Sequence, residues 1–221
     1  MKLSILIPVF NEEVLIAELL RRVAAVDLEK EIILVDDCST DASWSIINGL
    51  NIDALHVYQH PENLGKGAGI RTALAQATGD VVIIQDADLE YDPRDYPKLV
   101  EPLMRGEADV VYGARNLGDQ KPLMRLGNQF LTLATNLLYG SRLTDMETCY
   151  KVVPTELMRR LDLQADRFQI EPEITAKLLL RKCRIVEVPI SYEPREEKKL
   201  SPWRDGLPAL MTLLKLRFSN R

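Results

Sequence analysis

The chain is poor in the residues that staple small or metal-bound folds. Its three cysteines, Cys38, Cys149 and Cys183, are odd in number and lack C-x-x-C spacing. That excludes a disulfide framework and a zinc ribbon, and it fits a reducing cytoplasm. The two histidines, His56 and His60, have no metal-partner spacing and read as strand-end and loop residues. Aromatics make up only 6% of the chain, and Trp44 and Trp203 read as packing residues. Positive charge is also short. Lys and Arg number 28 against 33 Asp and Glu, a net charge of -5, so there is no global basic field for nucleic acid, although local Lys and Arg clusters can still bind phosphates. Long apolar runs are missing as well. The run from Leu3 to Phe10 meets Asn11, Glu12 and Glu13 at once, too short to span a membrane and without a signal-peptide cleavage pattern.

What is present is material for a core. With 221 residues, 46% of them hydrophobic, the chain can bury about 70% of its unfolded surface as one domain. Short β-branched runs, KLSILIPV, EIILVD, ALHVY, DVVIIQ and DVVYGA, alternate with helical patterns at 12–26, 41–50, 67–77 and 94–105. Repeated βα units of this kind predict an α/β fold with a mostly parallel, Rossmann-like central sheet and helices on both faces. After Gly113 the rhythm changes. A helix is expected over 123–139, then the strand CYKVV, helices near 154–162 and 171–182, and the strand RIVEVPISY. This second half reads as an elaboration closing one side of the sheet.

In such sheets ligands gather at the carboxyl ends of the strands. Those ends carry Pro8 to Glu12, Asp36 to Asp41, Asp86-Ala87-Asp88 and Gly113 to Arg115. A bare D-x-D is expected about once by chance in a chain of this composition. Helix capping accounts equally well for Asn11 to Glu13, Ser39 and Asp41. Capping does not account for Asp86 and Asp88 directly after a buried strand. Two carboxylates at i and i+2 of an extended chain point to one side, and a hard divalent cation would relieve their repulsion. Magnesium or manganese held this way completes its shell with water and phosphate, which points to a diphosphate ligand. The turn NLGKGAGIRTAL, with Lys66 and Arg71, reads either as phosphate-directed or as plain turn geometry with close helix packing. Its spacing is neither that of a P-loop nor that of a dinucleotide fingerprint.

The segments ILIPVFNEE, ILVDDCSTDAS, NLGKGAGIRTALAQATGDVVIIQDADLEYDP, VVYGAR and VPISYEPR, in that order over about 190 residues, together resemble the family 2 glycosyltransferases of the GT-A fold. Within them they are most similar to the polyprenyl-phosphate branch typified by dolichyl-phosphate mannose synthase. The resemblance implies inverting sugar transfer from a nucleotide diphosphate sugar, with Mg2+ or Mn2+ as cofactor. By that similarity Pro8, Phe10 and Glu12 surround the nucleotide base and Val35 and Asp37 add nucleotide contacts. Asp86, Ala87 and Asp88 form the metal and diphosphate site, with Glu90 as a further candidate ligand or a solvated acid. Lys66, Arg115, Arg195 and Lys199 are the donor-binding cations, and Lys121, Arg125 and Lys151 are the acceptor-side cations.

A chain of this kind divides into a nucleotide-sugar half (1–115), an acceptor half (116–200) and a C-terminal amphipathic helix (201–221). A lipid phosphate acceptor is already an anion and needs no base, whereas a hydroxyl acceptor would use Asp145 or Glu147. The stretches NQFLTLATNLLYG and WRDGLPALMTLLKLRFSNR carry apolar residues at helical spacing, which suits either an anionic membrane surface or cover for the core. The expected setting is thus cytoplasmic or peripheral, with a separate membrane-anchored partner conceivable. The segment Pro194 to Gly206 is expected to order as a lid over the donor. The rival readings are a haloacid-dehalogenase-like phosphatase, a sugar nucleotidyltransferase and a non-catalytic nucleotide-sugar-binding protein. The first expects its D-x-D early in the chain, and the second a glycine-rich basic loop after strand one.

Overall fold

The computed structural model describes residues 1–195 and 202–219. Lys199 and the acidic and basic residues at 196–198 therefore lie outside the described residues, and with them the central part of the expected lid. Among the described residues seven strands form one sheet: β1 (Leu3–Val9), β2 (Lys30–Asp36), β3 (Leu55–Gln59), β4 (Val81–Ile84), β5 (Val110–Arg115), β6 (Lys151–Pro154) and β7 (Ile185–Ile190). The order is β3-β2-β1-β4-β6-β5-β7. β6 runs antiparallel to both β4 and β5, and every other pairing is parallel.

The helices are α1 (Ile16–Ala25), α2 (Ser43–Gly49), α3 (Lys66–Gln76), α4 (Tyr96–Met104), α5 (Pro122–Tyr139), α6 (Thr155–Arg160), α7 (Ile170–Leu180) and α8 (Pro202–Ser219). α1 starts four residues later than its apolar pattern suggests, because Glu12 to Leu15 form a turn in which the Glu12 carbonyl accepts the amides of Leu15 and Ile16. α3 lies across β1 and β2, α4 against β5 and β7, and α8 packs on α5 and α7.

Near-continuous apolar runs make β1, β2 and β4 central strands, since both of their faces must be covered. Ile5, Leu6, Ile7, Ile32, Leu34, Val82, Ile83 and Ile84 are all buried in one hydrophobic cluster that reaches both halves of the chain. Each such side chain stabilises the fold by roughly 1.5–3 kcal/mol. Together they outweigh the cost of enclosing Ser4 and Glu31 among them, which hydrogen-bond each other at 2.5 Å. The parallel strands β1, β2 and β4 present their carboxyl ends on one rim, and the candidate site lies there.

Candidate functional site

β4 ends at Ile84, and Ala87 to Glu90 follow in a turn rather than in the extended chain their alternation suggests. Leu89 takes φ of 59°, while Asn11 and Cys38 at the ends of β1 and β2 take 54° and 60°. Left-handed backbone costs a non-glycine residue about 1–3 kcal/mol, so strain is concentrated on this rim.

The four alternating acids go to different partners. Asp86 pairs with Lys66 Nζ at 2.7 Å. Asp88 accepts the Glu90 amide at 3.2 Å, and Asp92 caps the turn Pro93–Asp95 and holds Arg94. Glu90 is neither solvated nor aligned with Asp86 and Asp88 as a third ligand. The Tyr91–Tyr192 bridge brings the chain after β7 alongside, and the Glu90 carboxylate accepts the Tyr192 hydroxyl and the Arg195 amide, each at 2.9 Å.

Burial, followed by the charges of Asp86 and Glu90, holds the Asp88 carboxyl well above the usual carboxylate range. A divalent cation with oxygen ligands would relieve that repulsion. Among the described residues no three His, Cys, Asp or Glu side chains gather as a metal cluster. Asp86 and Asp88 thus offer two carboxylates, a donor set that fits Mg2+ or Mn2+ completed by water and phosphate.

Around this pair the sequence-predicted donor residues separate into open and closed groups. Pro8 is half-buried and Phe10 exposed at the end of β1, while Val35 and Ala87 are buried. Glu12 is engaged by the Arg195 guanidinium at 2.8 and 3.2 Å. Asp37, expected to meet the nucleotide, faces inward. It accepts the amides of Leu64 and Gly65 at 2.9 and 2.7 Å and contacts His60 Nδ1 at 2.7 Å. His60, in the loop after β3, in turn meets Thr72 on α3 at 2.9 Å, so it fastens α3 to the end of β2.

The glycine-rich turn is explained by packing. A Cβ at Gly65, where φ is 99°, or at Gly67 would run into the backbone of Ala165 and Asp166. Ala68 donates its amide to the Asp166 carbonyl, and Arg71 holds Asp166 and the Gln164 and Ala165 carbonyls. With these groups engaged, Lys66 is the residue of the turn that reaches the acids.

The acceptor-side residues are similarly redistributed. Arg115 and Asp145 form a buried bidentate pair, Nε to Oδ2 at 2.7 Å and Nη2 to Oδ1 at 2.8 Å, and the Arg115 amide adds a bond at 3.1 Å. Arg115 also lies over the Tyr192 ring at 5.2 Å. Here it braces the Asp145 loop instead of lying open to a diphosphate, and Asp145 is committed to it rather than placed as a base. Glu187 on β7 accepts the amides of Thr144 and Asp145 at 2.8–3.0 Å, fixing the same loop.

Glu147 keeps one enclosed carboxylate oxygen without a hydrogen-bond partner. Burial pushes its carboxyl up to about 7; Lys151 opposes the shift, and Glu171 adds to it. Lys151, expected to bind the acceptor, is wholly buried and ion-paired to Glu171 at 2.6 Å, so it cannot touch an acceptor in this arrangement. Lys121, just before α5, and Arg125 on its first turn are exposed.

Sequence reasoning placed Asp36 at a strand end and His60 in a loop without giving either a partner, and it missed Glu171, Glu187 and Tyr192. Asp36 holds the Ser39 amide and the Gln59 side chain and keeps an enclosed Oδ1 unpartnered. An acid in the first turn of α7 was the available signal for Glu171. Glu187 and Tyr192 meet partners more than forty residues away, which no local pattern reveals.

This fold, with paired carboxylates and a lysine at the strand ends, is that of the GT-A glycosyltransferases. It superposes with a TM-score of 0.80 on glucosyl-3-phosphoglycerate synthase from Mycobacterium tuberculosis, solved in complex with Mn2+, uridine diphosphate and phosphoglyceric acid. The two are 22% identical, with 98% of this chain and 78% of that one covered. Residues 4–160, well over half the chain, match the model of glycosyl transferase family 2, and the chain belongs to that family. It is 30% identical over 216 residues to the low-salt glycan biosynthesis hexosyltransferase Agl6 of Haloferax volcanii, covering 92% of this chain and 51% of the relative. It is 32% identical over 214 residues to an undecaprenyl-phosphate 4-deoxy-4-formamido-L-arabinose transferase of Pseudomonas fluorescens, covering 91% and 61%. The chain thus spans about half to three fifths of the length of these curated relatives.

Proposed function

We infer that the chain transfers a sugar, with inversion and with help from a divalent metal, from a nucleotide diphosphate sugar to a polyprenyl phosphate. The observation that carries the metal and donor part is Asp88, enclosed between Asp86 and Glu90 with Lys66 and Arg195 beside them. Mg2+ or Mn2+ held by Asp86 and Asp88 would supply charge stabilisation to the departing diphosphate. Lys66 is shared between Asp86 and Glu171, and Arg195 between Glu12 and the field of Asp88 and Glu90, so both cations can turn towards added phosphate charge. Phe10 offers an exposed ring at the end of β1 for a nucleotide base.

The acceptor phosphate oxygen would form the new bond to the anomeric carbon as the bond from that carbon to the diphosphate breaks and the nucleoside diphosphate leaves. No proton has to be removed. The acceptor reading is supported by the undecaprenyl-phosphate relative and by the outer faces of two helices. α5 exposes Leu123, Leu126, Phe130, Leu133 and Leu137, and α8 exposes Leu207, Met211, Leu214 and Phe218. Arg125 and Lys215 are exposed on the same two helices, and Lys121 is exposed at the start of the first. No described helix is long and apolar enough to cross a membrane. Two apolar stripes flanked by cations suit a helix pair lying on an anionic lipid surface, peripheral to the bilayer that holds the acceptor.

A second reading rests on Glu147. A half-buried carboxylate with an unpartnered oxygen and a pKa near 7 is poised as a general base, which only a hydroxyl acceptor needs. Nucleoside diphosphate release, measured with a panel of donors against polyprenyl phosphate and saccharide acceptors, separates the two. Asp88→Asn should lower either activity roughly 10²-fold or more while the fold is kept. Full turnover by that variant, or in chelator, would remove the metal from the reading.

A further inference from the structure

From the half-buried Asp86 a row of alternating charges runs inward to the fully buried Lys151. Asp86 pairs with Lys66 at 2.7 Å, Lys66 with Glu171 at 3.1 Å, and Glu171 with Lys151 at 2.6 Å, and the Lys151 ammonium also donates to the Thr148 carbonyl. Glu171 is the member of the row contributed by α7; its Oε2 accepts a hydrogen bond from Lys151, while its Oε1 lies within ion-pair distance of Lys66 but has no hydrogen-bond partner. Although burial works against it, the charges of Asp86 and Glu171 are among those that keep Lys66 ionised.

We propose that Glu171 is a positioning residue for the metal site: its charge, 3.1 Å from the Lys66 ammonium, offsets part of the hold of Asp86 on that ammonium, so that the Asp86 carboxylate can be yielded to a divalent cation. An ammonium is a compact charge on a flexible stem and goes where the anions are. With Asp86 at 2.7 Å and Glu171 at 3.1 Å, the charge of Lys66 is shared between the two carboxylates. Without the glutamate the whole ammonium falls to Asp86 and competes with a cation for the same oxygens. Asp88, enclosed with Asp86 and Glu90 and with Arg195 beside it, would add the second carboxylate to that cation. The Glu171 carboxylate also anchors Lys151 below Thr148, which ties the acceptor loop between β5 and β6 to Asp86 through three ion pairs. This inference rests on the metal reading of Asp86 and Asp88.

The test is a double-mutant cycle on Lys66 and Glu171 read by direct Mn2+ titration, following the electron paramagnetic resonance signal of free Mn2+ with UDP or GDP present, whichever the wild type binds. Glu171→Gln should weaken Mn2+ binding tenfold or more, about 1.4 kcal/mol. In the Lys66→Met background, where no ammonium is left to compete, the same change should shift Mn2+ binding less than twofold. An equal loss in both backgrounds would overturn the proposal, because Glu171 would then act through something other than Lys66. Glu171→Gln leaves Lys151 buried without its counter-ion and can fail to fold. In that event the cycle is run with Lys151→Met in every arm, and the same two outcomes decide. Failure of the wild type to bind Mn2+ at all, or undiminished binding by Asp88→Asn, would overturn the metal reading and this inference with it.

Discussion

Glu147 is easier to protonate in the folded chain than in the unfolded one, its carboxyl moving from 4.5 to about 7. The stability linked to that proton is therefore fully present below about 4.5 and is lost as pH rises through about 7. The melting temperature should fall across that interval, and Glu147→Gln should flatten the fall; an unchanged slope would mean another group titrates. On a phosphate acceptor this variant should leave single-turnover rates nearly intact, whereas on a hydroxyl acceptor it should cost roughly 10²-fold or more. Asp145→Asn belongs to a different class. It strands the buried Arg115 guanidinium, and denaturant unfolding should show a loss of about 3–5 kcal/mol. The two acids look alike in the sequence, two residues apart in one turn. Only burial and the reach of Arg115 across thirty residues distinguish them, and neither is local. Asp86 and Asp88 stood out in the sequence because acids after an apolar strand have no packing explanation. The partners of Asp37 were not legible, because Leu64 and Gly65 lie more than twenty-five residues further on.

Strands were the most legible elements, since β1, β2 and β4 are apolar runs whose ends are marked by polar residues. The turn into α3 was legible as a turn but not in its purpose. Its glycines answer to the backbone of Ala165 and Asp166, about a hundred residues further on. A staple at the opposite end of the sheet was invisible for the same reason. Glu31 at the start of β2 accepts from Lys2 Nζ at 2.7 Å, Ser4 Oγ at 2.5 Å and both the amide and hydroxyl of Thr78 at 2.6 Å. Despite burial, these bonds hold its carboxyl down at about 2 against an ordinary 4.5. Its contribution is present above about 4.5 and lost as pH falls through about 2. Glu31→Gln should cost roughly 2–4 kcal/mol near neutral pH, with little difference from the wild type once both are below the folded pKa. Urea unfolding at two pH values checks it.

At the scale of the molecule, α5 and α8 come together where the Tyr139 hydroxyl donates to the Leu213 carbonyl at 2.7 Å and Arg217 lies 6.0 Å from the Tyr139 ring. If their outer stripes rest on lipid, the protein should sediment with vesicles containing anionic lipid. The triple variant Leu126→Ser, Phe130→Ser, Leu133→Ser should lose most of that binding while keeping its melting temperature. Equal sedimentation would assign the stripe to something other than a bilayer. The sheet order carries a consequence of a different kind. β6 sits between β4 and β5 although it is made after both, so until residue 154 has left the ribosome both strands have an open edge facing a gap. A nascent chain halted near residue 145 would hold two unsatisfied, strongly apolar edges side by side, a template for pairing with its neighbours. Synthesis of this protein thus passes through an interval in which chaperone cover should matter most, closing within a few residues when the keystone strand arrives.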